Sequence, residues 1–341
     1  MDKELYFGVD VSKKTLDLAY YDGETIDWKN AHIKVSNDDA GFKKIGSWIA
    51  KVGKDFDTFL FCMEYTGLYN QNFRLWLESK EYIYGMVEPR KMHHFEPDLD
   101  DDQRSLDRIK TDELDAFRIA IYCEQNHKKI LRNPSKLPSP VYLKLKRLLV
   151  ERKQNTKQST LCKQQLHDTC AYDTDFSVER KKLLLKNMQE NQKAIDKEID
   201  SYIQEDASIS KNYELLTSIP GIGRIIALET IVLTENFTAI NNPRKYACYI
   251  GIAPFKKESG TSVRKRTAVS KKGFSEAKAD LSIAVLSAIK NNPSIRDYWI
   301  RKRKEKCGGI VLNAVKFKLV LRMFAVIKRG TPYVETDAYK N

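Results

Sequence analysis

Near the start of the chain two runs of apolar and β-branched residues, Leu5–Val11 and Thr15–Tyr21, are separated by three polar positions. Short runs bounded in this way predict two strands joined by a hairpin. Further strands are predicted at His32–Val35, Thr58–Met63 and Tyr82–Val87. Between them the apolar spacing becomes helical. Phe42, Ile45, Trp48 and Ile49 follow Ser36-Asn37 as cap residues, and Phe73, Leu75 and Leu77 follow Asn70. A hairpin followed by strand–helix units predicts an α/β domain with a mixed sheet over residues 1–132.

A proline-rich linker, "NPSKLPSP", opens the next zone, residues 133–207, which is highly charged and helical in pattern. Met188, Ile195, Ile199 and Tyr202 are spaced 7, 4 and 3 apart, a coiled-coil-like seam. The spacing fits a dimer contact and an intramolecular helical hairpin equally well. The stretch "RKQNTKQST" is polar, so the first helix is expected to break or lie exposed there. The last zone, residues 208–341, is predicted to be mostly helical. It holds "TSIPGIGRIIALETIVL", in which Pro-Gly-Ile-Gly before a helix reads as a helix–hairpin–helix-like element. Gly221 and Gly223 would allow a tight turn, and the helix start at Arg224 would let backbone N–H groups approach a phosphate. A tight turn between two core helices is the alternative. The fold class is therefore α/β plus α.

Charge changes the picture more than composition does. With 42% hydrophobic and 31% charged residues the chain reads as globular, and no run of eighteen apolar residues predicts a membrane helix. The N-terminus shows no signal-peptide pattern, and the six cysteines are scattered with no CxxC pair. That predicts a reducing cytoplasm and gives no support for a zinc site. The formal net charge of +13 is uneven, however. Residues 256–329 hold 20 Lys+Arg against 5 Asp+Glu, so the rest sums to about −2. A basic C-terminal third with Tyr298, Trp299 and Phe317 interleaved predicts a nucleic-acid-binding surface.

Four carboxylates carry the candidate chemistry. Asp10 ends the first strand and Glu64 the fourth, while Asp112 and Asp115 lie three apart on one side of a predicted helix. A hairpin with an acid at the end of its first strand can hold a metal ion or sit beside a nucleotide phosphate. Acids from three separated elements can converge above one sheet end, and carboxylate oxygens suit Mg²⁺ in phosphoryl transfer. Spacing alone fits scattered surface acids as well. The dense acidic run Glu96–Asp107 reads as a solvated loop.

At this point a resemblance becomes specific. "FGVDVSKKTLDLAYYD", "CMEYTGLYN" and "IKTDELDAFRIA" resemble the three acidic motifs of the RuvC-like DEDD domain of the IS-one-ten family of insertion-sequence transposases. DNA invertases belong to the same broader group. "IPGIGRIIALETI", "YACYIGIAPFKKESG", "AVSKKG" and "FAVIKRGTPY" resemble that family's C-terminal domain, so ordered matches span nearly the whole chain.

The resemblance implies an RNase H/RuvC-like N-terminal domain whose metal ligands are Asp10, Glu64, Asp112 and Asp115, with Mg²⁺ or Mn²⁺ as cofactor. It implies a catalytic serine in Ser259-Gly260 and a covalent phosphoserine link to DNA, with strand exchange through a structure like a Holliday junction. It further implies donor and target DNA and a structured noncoding bridge RNA as partners, and a homo-oligomer, dimer or tetramer. A serine hydroxyl is a weak nucleophile that needs activation. Ser259 stands in sequence among Lys256, Lys257, Arg264, Lys265, Arg266, Lys271 and Lys272, cations suited to phosphates. Ser262 is a rival nucleophile, and Ser270 reads as structural or as a phosphate contact.

One departure is that after "SKKG" the family often shows a basic, arginine-bearing helix start, whereas this chain reads "FSEAKADLS", with Glu276 and Asp280. Other readings are a junction nuclease using water, a protein-directed invertase, an actin-like ATPase and a non-catalytic DNA-binding protein. The ATPase would need glycine-rich phosphate loops, and the N-terminal zone has none.

Overall fold

The computed structural model describes residues 4–24, 30–95, 111–259, 263–269 and 273–335, with the backbone alone for 256–259 and 263–267. It divides into two compact units, Met1–Leu137 and Pro138–Asn341. Among the described residues no helix is long and apolar enough to cross a membrane.

The first unit is built on a sheet of five strands: β1 (Glu4–Val11), β2 (Thr15–Tyr21), β3 (His32–Ser36), β4 (Thr58–Glu64) and β5 (Ile83–Val87). Their order is β3-β2-β1-β4-β5, with β1–β2 and β2–β3 antiparallel and β1–β4 and β4–β5 parallel. The mixed sheet follows from the sequence order, because the hairpins are short and each parallel step has a helix between its strands. Those helices are α1 (Asp39–Val52) and α2 (Gln71–Ser79). They cover one face with an aromatic core in which Phe7 stacks on Phe61 at 4.7 Å and Phe73 on Trp76 at 5.6 Å.

Two local expectations need correction. The cap of α1 is Asp38, whose carboxylate accepts from the Gly41 N–H at 2.9 Å and from Ser36 Oγ at 2.7 Å. The Asn37 amide instead donates to the Ser12 and Tyr69 carbonyls at 3.0 and 2.9 Å, tying the β1–β2 hairpin to the loop before α2. In α2, Phe73 and Leu77 are buried, but Leu75 is 52% exposed. Residues 73, 75 and 77 cannot share one face of a helix at 3.6 residues per turn.

The other face of the sheet carries α4 (Asp112–Gln125), after a short α3 (Pro89–His93) and before a short α5 (His127–Arg132). Thr111 caps α4, its hydroxyl accepting from the Leu114 N–H at 3.3 Å. Ala116 and Ala120 turn toward β1 at Gly8. A Cβ built on Gly8 would lie 2.0 Å from the Ala116 carbonyl oxygen and 2.2 Å from the Ala120 nitrogen. Only glycine fits here, because the obstruction is helix backbone.

The second unit begins with two long antiparallel helices, α6 (Pro140–His167) and α7 (Asp175–Glu205). Leu145, Ile199 and Ile203 enter the core of this unit, with Ile195 and Tyr202 packed against it. The spaced seam is thus used within the chain. The polar stretch does not break α6 but lies largely exposed, with Arg152, Asn155 and Thr156 bonding across the pair. Asn155 donates to the Met188 carbonyl and to Gln192 Oε1, at 2.8 and 3.1 Å. Arg152 Nε reaches Asp196 at 2.8 Å. Toward the tip Leu161, Tyr172, Phe176 and Leu183 are exposed.

Next come α8 (Ala207–Thr217), α9 (Arg224–Thr234), α10 (Pro243–Tyr249), β6 (Pro254–Ser259), β7 (Val263–Val269), α11 (Ser275–Asn291), α12 (Pro293–Glu305) and α13 (Gly308–Arg329). The buried face of α13, from Val315 through Val326, runs into the same core as Leu228, Ile231 and Tyr246. The antiparallel β6–β7 pair has no counterpart in the elements expected from sequence.

Candidate active site on the α4 face of the sheet

Strand parity assembles the site. Tyr6, Gly8 and Asp10 share one face of β1, the face toward α4, while Leu5, Phe7, Val9 and Val11 face the aromatic core. On β4, Leu60 and Cys62 lie on the α4 face, and so does Glu64, two residues further. The parallel register pairs Gly8 with Cys62, so both acids stand at the C-terminal ends of neighbouring strands. Gly8 meets Ala116, and Asp112 lies one turn nearer the start of α4. The close helix crossing therefore brings the first turn of α4 to Asp10.

The electrostatics register this convergence. Burial first, then the carboxylates of Asp112, Asp115 and Asp17, push the Asp10 carboxyl above its ordinary range. Such crowding marks an anionic cluster short of counter-charge, a donor set whose chemistry fits a divalent cation. Among the described residues no group of three His, Cys, Asp or Glu stands as a closed metal-ligand set. Asp112 is engaged elsewhere, since Lys34 Nζ donates to its Oδ2 at 3.1 Å.

Three residues here escaped the sequence reading. Asp17 lies directly across from Asp10 in the β1–β2 pair and is 2% exposed. His32 Nε2 lies 3.0 Å from Asp17 Oδ1, and Lys34 Nζ lies 3.1 Å from Asp17 Oδ2. The available signal was an acid inside the strand "TLDLAYY", on the face it shares with Ala19. A buried carboxylate needs charged or hydrogen-bonded partners, and both come from the adjacent strand.

In the second unit the residues expected to contact nucleic acid are distributed unevenly. Gly221 has φ +95°, and a Cβ on it would lie 2.7 Å from Ala288 Cβ and 2.9 Å from the Ala284 carbonyl oxygen, so this part of the turn packs on α11. The Arg224 guanidinium is held by α7, with Nη1 2.9 Å from Asp200 and Nη2 2.7 Å from the Asp196 carbonyl. Both observations fit a tight turn between core helices rather than a phosphate-facing one. Gly223 faces open space. Lys256 and Lys257 lie on β6, and Arg264, Lys265 and Arg266 on β7, with Lys257 paired to Lys265. Ser259 ends β6 opposite Val263. Gly260, Ser262, Ser270, Lys271, Lys272 and the acidic run Glu96–Asp107 lie outside the described residues.

The acids that depart from the family pattern have a structural use. Lys153 of α6 reaches Asp280 at 2.8 Å, Glu276 at 3.2 Å and Glu229 at 3.9 Å. These groups line a groove of about 360 Å³ between α6, α9 and α11. Burial and the Asp280 charge push the Glu229 carboxyl up to about 7, against the pull of Lys153. A carboxyl raised on folding stabilises the fold below its unfolded value, and that contribution is lost as pH rises through about 7. Between pH 6 and 8 the melting temperature of the wild type is therefore expected to fall by about 2–4 °C more than that of Glu229→Gln, measured side by side in one set of buffers.

Acids closing β1 and β4, with the first turn of a helix laid over them on a β3-β2-β1-β4-β5 sheet, define a RuvC-like DEDD domain, the class of fold that positions carboxylates for work on nucleic-acid phosphates. Comparison with known proteins agrees. A transposase family model of the IS110 DEDD type matches residues 7–170, and the model described as transposase IS116/IS110/IS902 family matches residues 213–300. Pilin gene-inverting proteins of Moraxella lacunata and Moraxella bovis are each 23% identical over 330 residues, covering 96% of this chain and 97% of theirs. An uncharacterized 43.6 kDa protein of insertion element IS110 from Streptomyces coelicolor is 28% identical over 120 residues, 35% of this chain and 29% of that one. The chain belongs to the IS110 family of transposases and DNA invertases, enzymes that act on DNA.

Proposed function

We propose that the protein is a recombinase of a mobile element that cuts and exchanges DNA strands through a phosphoserine intermediate on Ser259, guided by a structured bridge RNA. The observation that carries the reading is the joint occurrence, in one chain, of the acid set on the α4 face and a strand ending in Ser259 among cationic residues. Asp10, Glu64, Asp112 and Asp115 would hold Mg²⁺ or Mn²⁺. Bound there, such a cation would supply Lewis-acid stabilisation of charge on the phosphate oxygens. Ser259 Oγ would form the new bond to phosphorus while the bond to the leaving sugar oxygen breaks. The hydroxyl proton would leave to a base, and the phosphodiester energy would stay in the ester for rejoining. Lys256, Lys257, Arg264, Lys265, Arg266, Lys271 and Lys272 would neutralise phosphates of donor and target DNA and of the RNA. The acids and the serine that act together would come from different subunits of a homo-oligomer.

A protein-directed invertase is the second reading, favoured by the near-full-length likeness to proteins named for pilin gene inversion. Sequencing of RNA that co-purifies from the native locus separates the two. One abundant structured RNA from a flank supports guidance, and random host RNA supports direct recognition. For the nucleophile, denaturing gels of end-labelled DNA are expected to show a protein–DNA adduct that falls at least about 100-fold in Ser259→Ala. Cleavage without any adduct in the wild type would make water the nucleophile.

A further inference from the structure

The sheet carries an ammonium where the acids crowd. Asp17 and Lys34 are cross-strand partners on β2 and β3, and Lys34 Nζ bridges Asp17 Oδ2 and Asp112 Oδ2, at 3.1 Å each. The two ends of this bridge differ. Asp17 is 2% exposed and holds Lys34 and His32 as its charged or polar partners, whereas the side chain of Asp112 is 59% exposed and that of Lys34 50%. Releasing Asp17 would leave a buried carboxylate short of a partner, while releasing Asp112 returns a carboxylate to water. The bridge is therefore built to open at Asp112.

We propose that Lys34 is the resident counter-ion of the acid cluster, seated on Asp17 and occupying the Asp112 oxygen until a divalent cation displaces it. The inference rests on the metal-binding role proposed above for Asp112. Lys34 lowers the repulsion among Asp10, Asp112 and Asp115 while no cation is bound, and it sets the affinity for the cation that replaces it. An ammonium in contact with a ligand oxygen opposes an arriving dication in two ways: through the pair that must be broken, and through repulsion of like charge. After displacement the ammonium still has Asp17. Lys34 is thus a positioning residue, acting through Asp112.

The test is equilibrium binding of Mn²⁺ to the full chain without nucleic acid, by calorimetry, for wild type, Lys34→Met, Lys34→Arg and Asp10→Asn. Lys34→Met is expected to bind Mn²⁺ roughly 3- to 10-fold more tightly at low salt, with the gain shrinking at high salt. Lys34→Arg keeps the charge and is expected to stay within about 2-fold of wild type. Weaker or unchanged binding by Lys34→Met, with Asp10→Asn impaired, overturns the role of Lys34 and leaves the metal site standing. No Mn²⁺ binding by the wild type, or none that Asp10→Asn alters, overturns the metal reading and this proposal with it. Should Lys34→Met fail to fold, the wild type answers alone. Acetylation of Lys34, read by mass spectrometry, is expected to rise on adding Mn²⁺, and an unchanged extent overturns the displacement.

Discussion

Asp10→Asn is expected to abolish strand cleavage and, in the absence of metal, to make the protein more stable. Asp10 is the acid that burial and three neighbouring carboxylates disfavour in its charged form. Asparagine keeps the shape and removes that charge, so the metal-free melting temperature of the first unit, Met1–Leu137, is expected to rise by about 3 °C, the shift that roughly 1 kcal/mol gives in a unit of that size. Cleavage is expected to fall by more than about 100-fold, since changes even to groups behind metal ligands cost 10- to 100-fold. Binding to DNA is expected to be nearly unchanged, because the basic residues lie in the second unit. Melting curves with EDTA and with Mn²⁺, beside a cleavage assay, check both halves. A variant that loses cleavage and also melts lower without metal would show Asp10 to be a structural residue.

The second large effect is expected from a methyl group. Gly8→Ala places a Cβ 2.0 Å from the Ala116 carbonyl oxygen and 2.2 Å from the Ala120 nitrogen, so α4 has to lift from β1. Overpacking that moves backbone costs typically 1–3 kcal/mol and more where a rigid helix must shift, and we expect about 3 kcal/mol here. The same displacement carries Asp112 and Asp115 away from Asp10. Variants that fold are therefore expected to lose cleavage out of proportion to their stability. Denaturant titration with a cleavage assay at a temperature where the variant remains folded separates the two losses. Full activity in a folded Gly8→Ala protein would show that the helix crossing does not set the acid geometry.

The glycine two positions before the aspartate thus has the same cause as the acid set. The acids stood out in the sequence, whereas the demand for glycine at position 8 shows only in the helix crossing. All five strands of the first unit were legible from runs of apolar residues, and so was the helix bearing Asp112 and Asp115, because period-2 and helical spacing are local properties. The convergence of the acids was legible only through resemblance, since it depends on the β1–β4 register and on how closely α4 approaches. Asp17, His32 and Lys34 were missed because their significance is cross-strand. Asp17 matters by standing opposite Asp10 across the hairpin and opposite Lys34 on the next strand, pairings fixed by strand register rather than by local pattern. The cap of α1 was misplaced by one to two residues because Ser36, Asn37 and Asp38 are all capable caps, and three-dimensional demands on Asn37 decide among them. In the second unit, Arg224 at the helix start after the glycine turn was expected to contact nucleic acid. The Asp200 carboxylate and the Asp196 carbonyl that hold it lie 24 and 28 residues earlier, on a different helix.

That anchorage gives the α6–α7 hairpin a mechanical character. Arg152, Asp196 and Arg224 clamp the hairpin to the start of α9, Lys153 adds ion pairs to α9 and α11, and beyond this root the pair continues to His167 with Asn155, Thr156 and Cys162 bonding across to α7. From Arg152 to His167 the arm measures about 22 Å at 1.5 Å per residue. A rotation of about 10° at the root sweeps the tip through roughly 4 Å, and a load at the tip acts on the root with that full length as its lever. The side chains nearest the load are the exposed Tyr172 and Phe176, and the part that bears the torque is an ionic root built on Arg152, Lys153 and Arg224 and the acids that hold them.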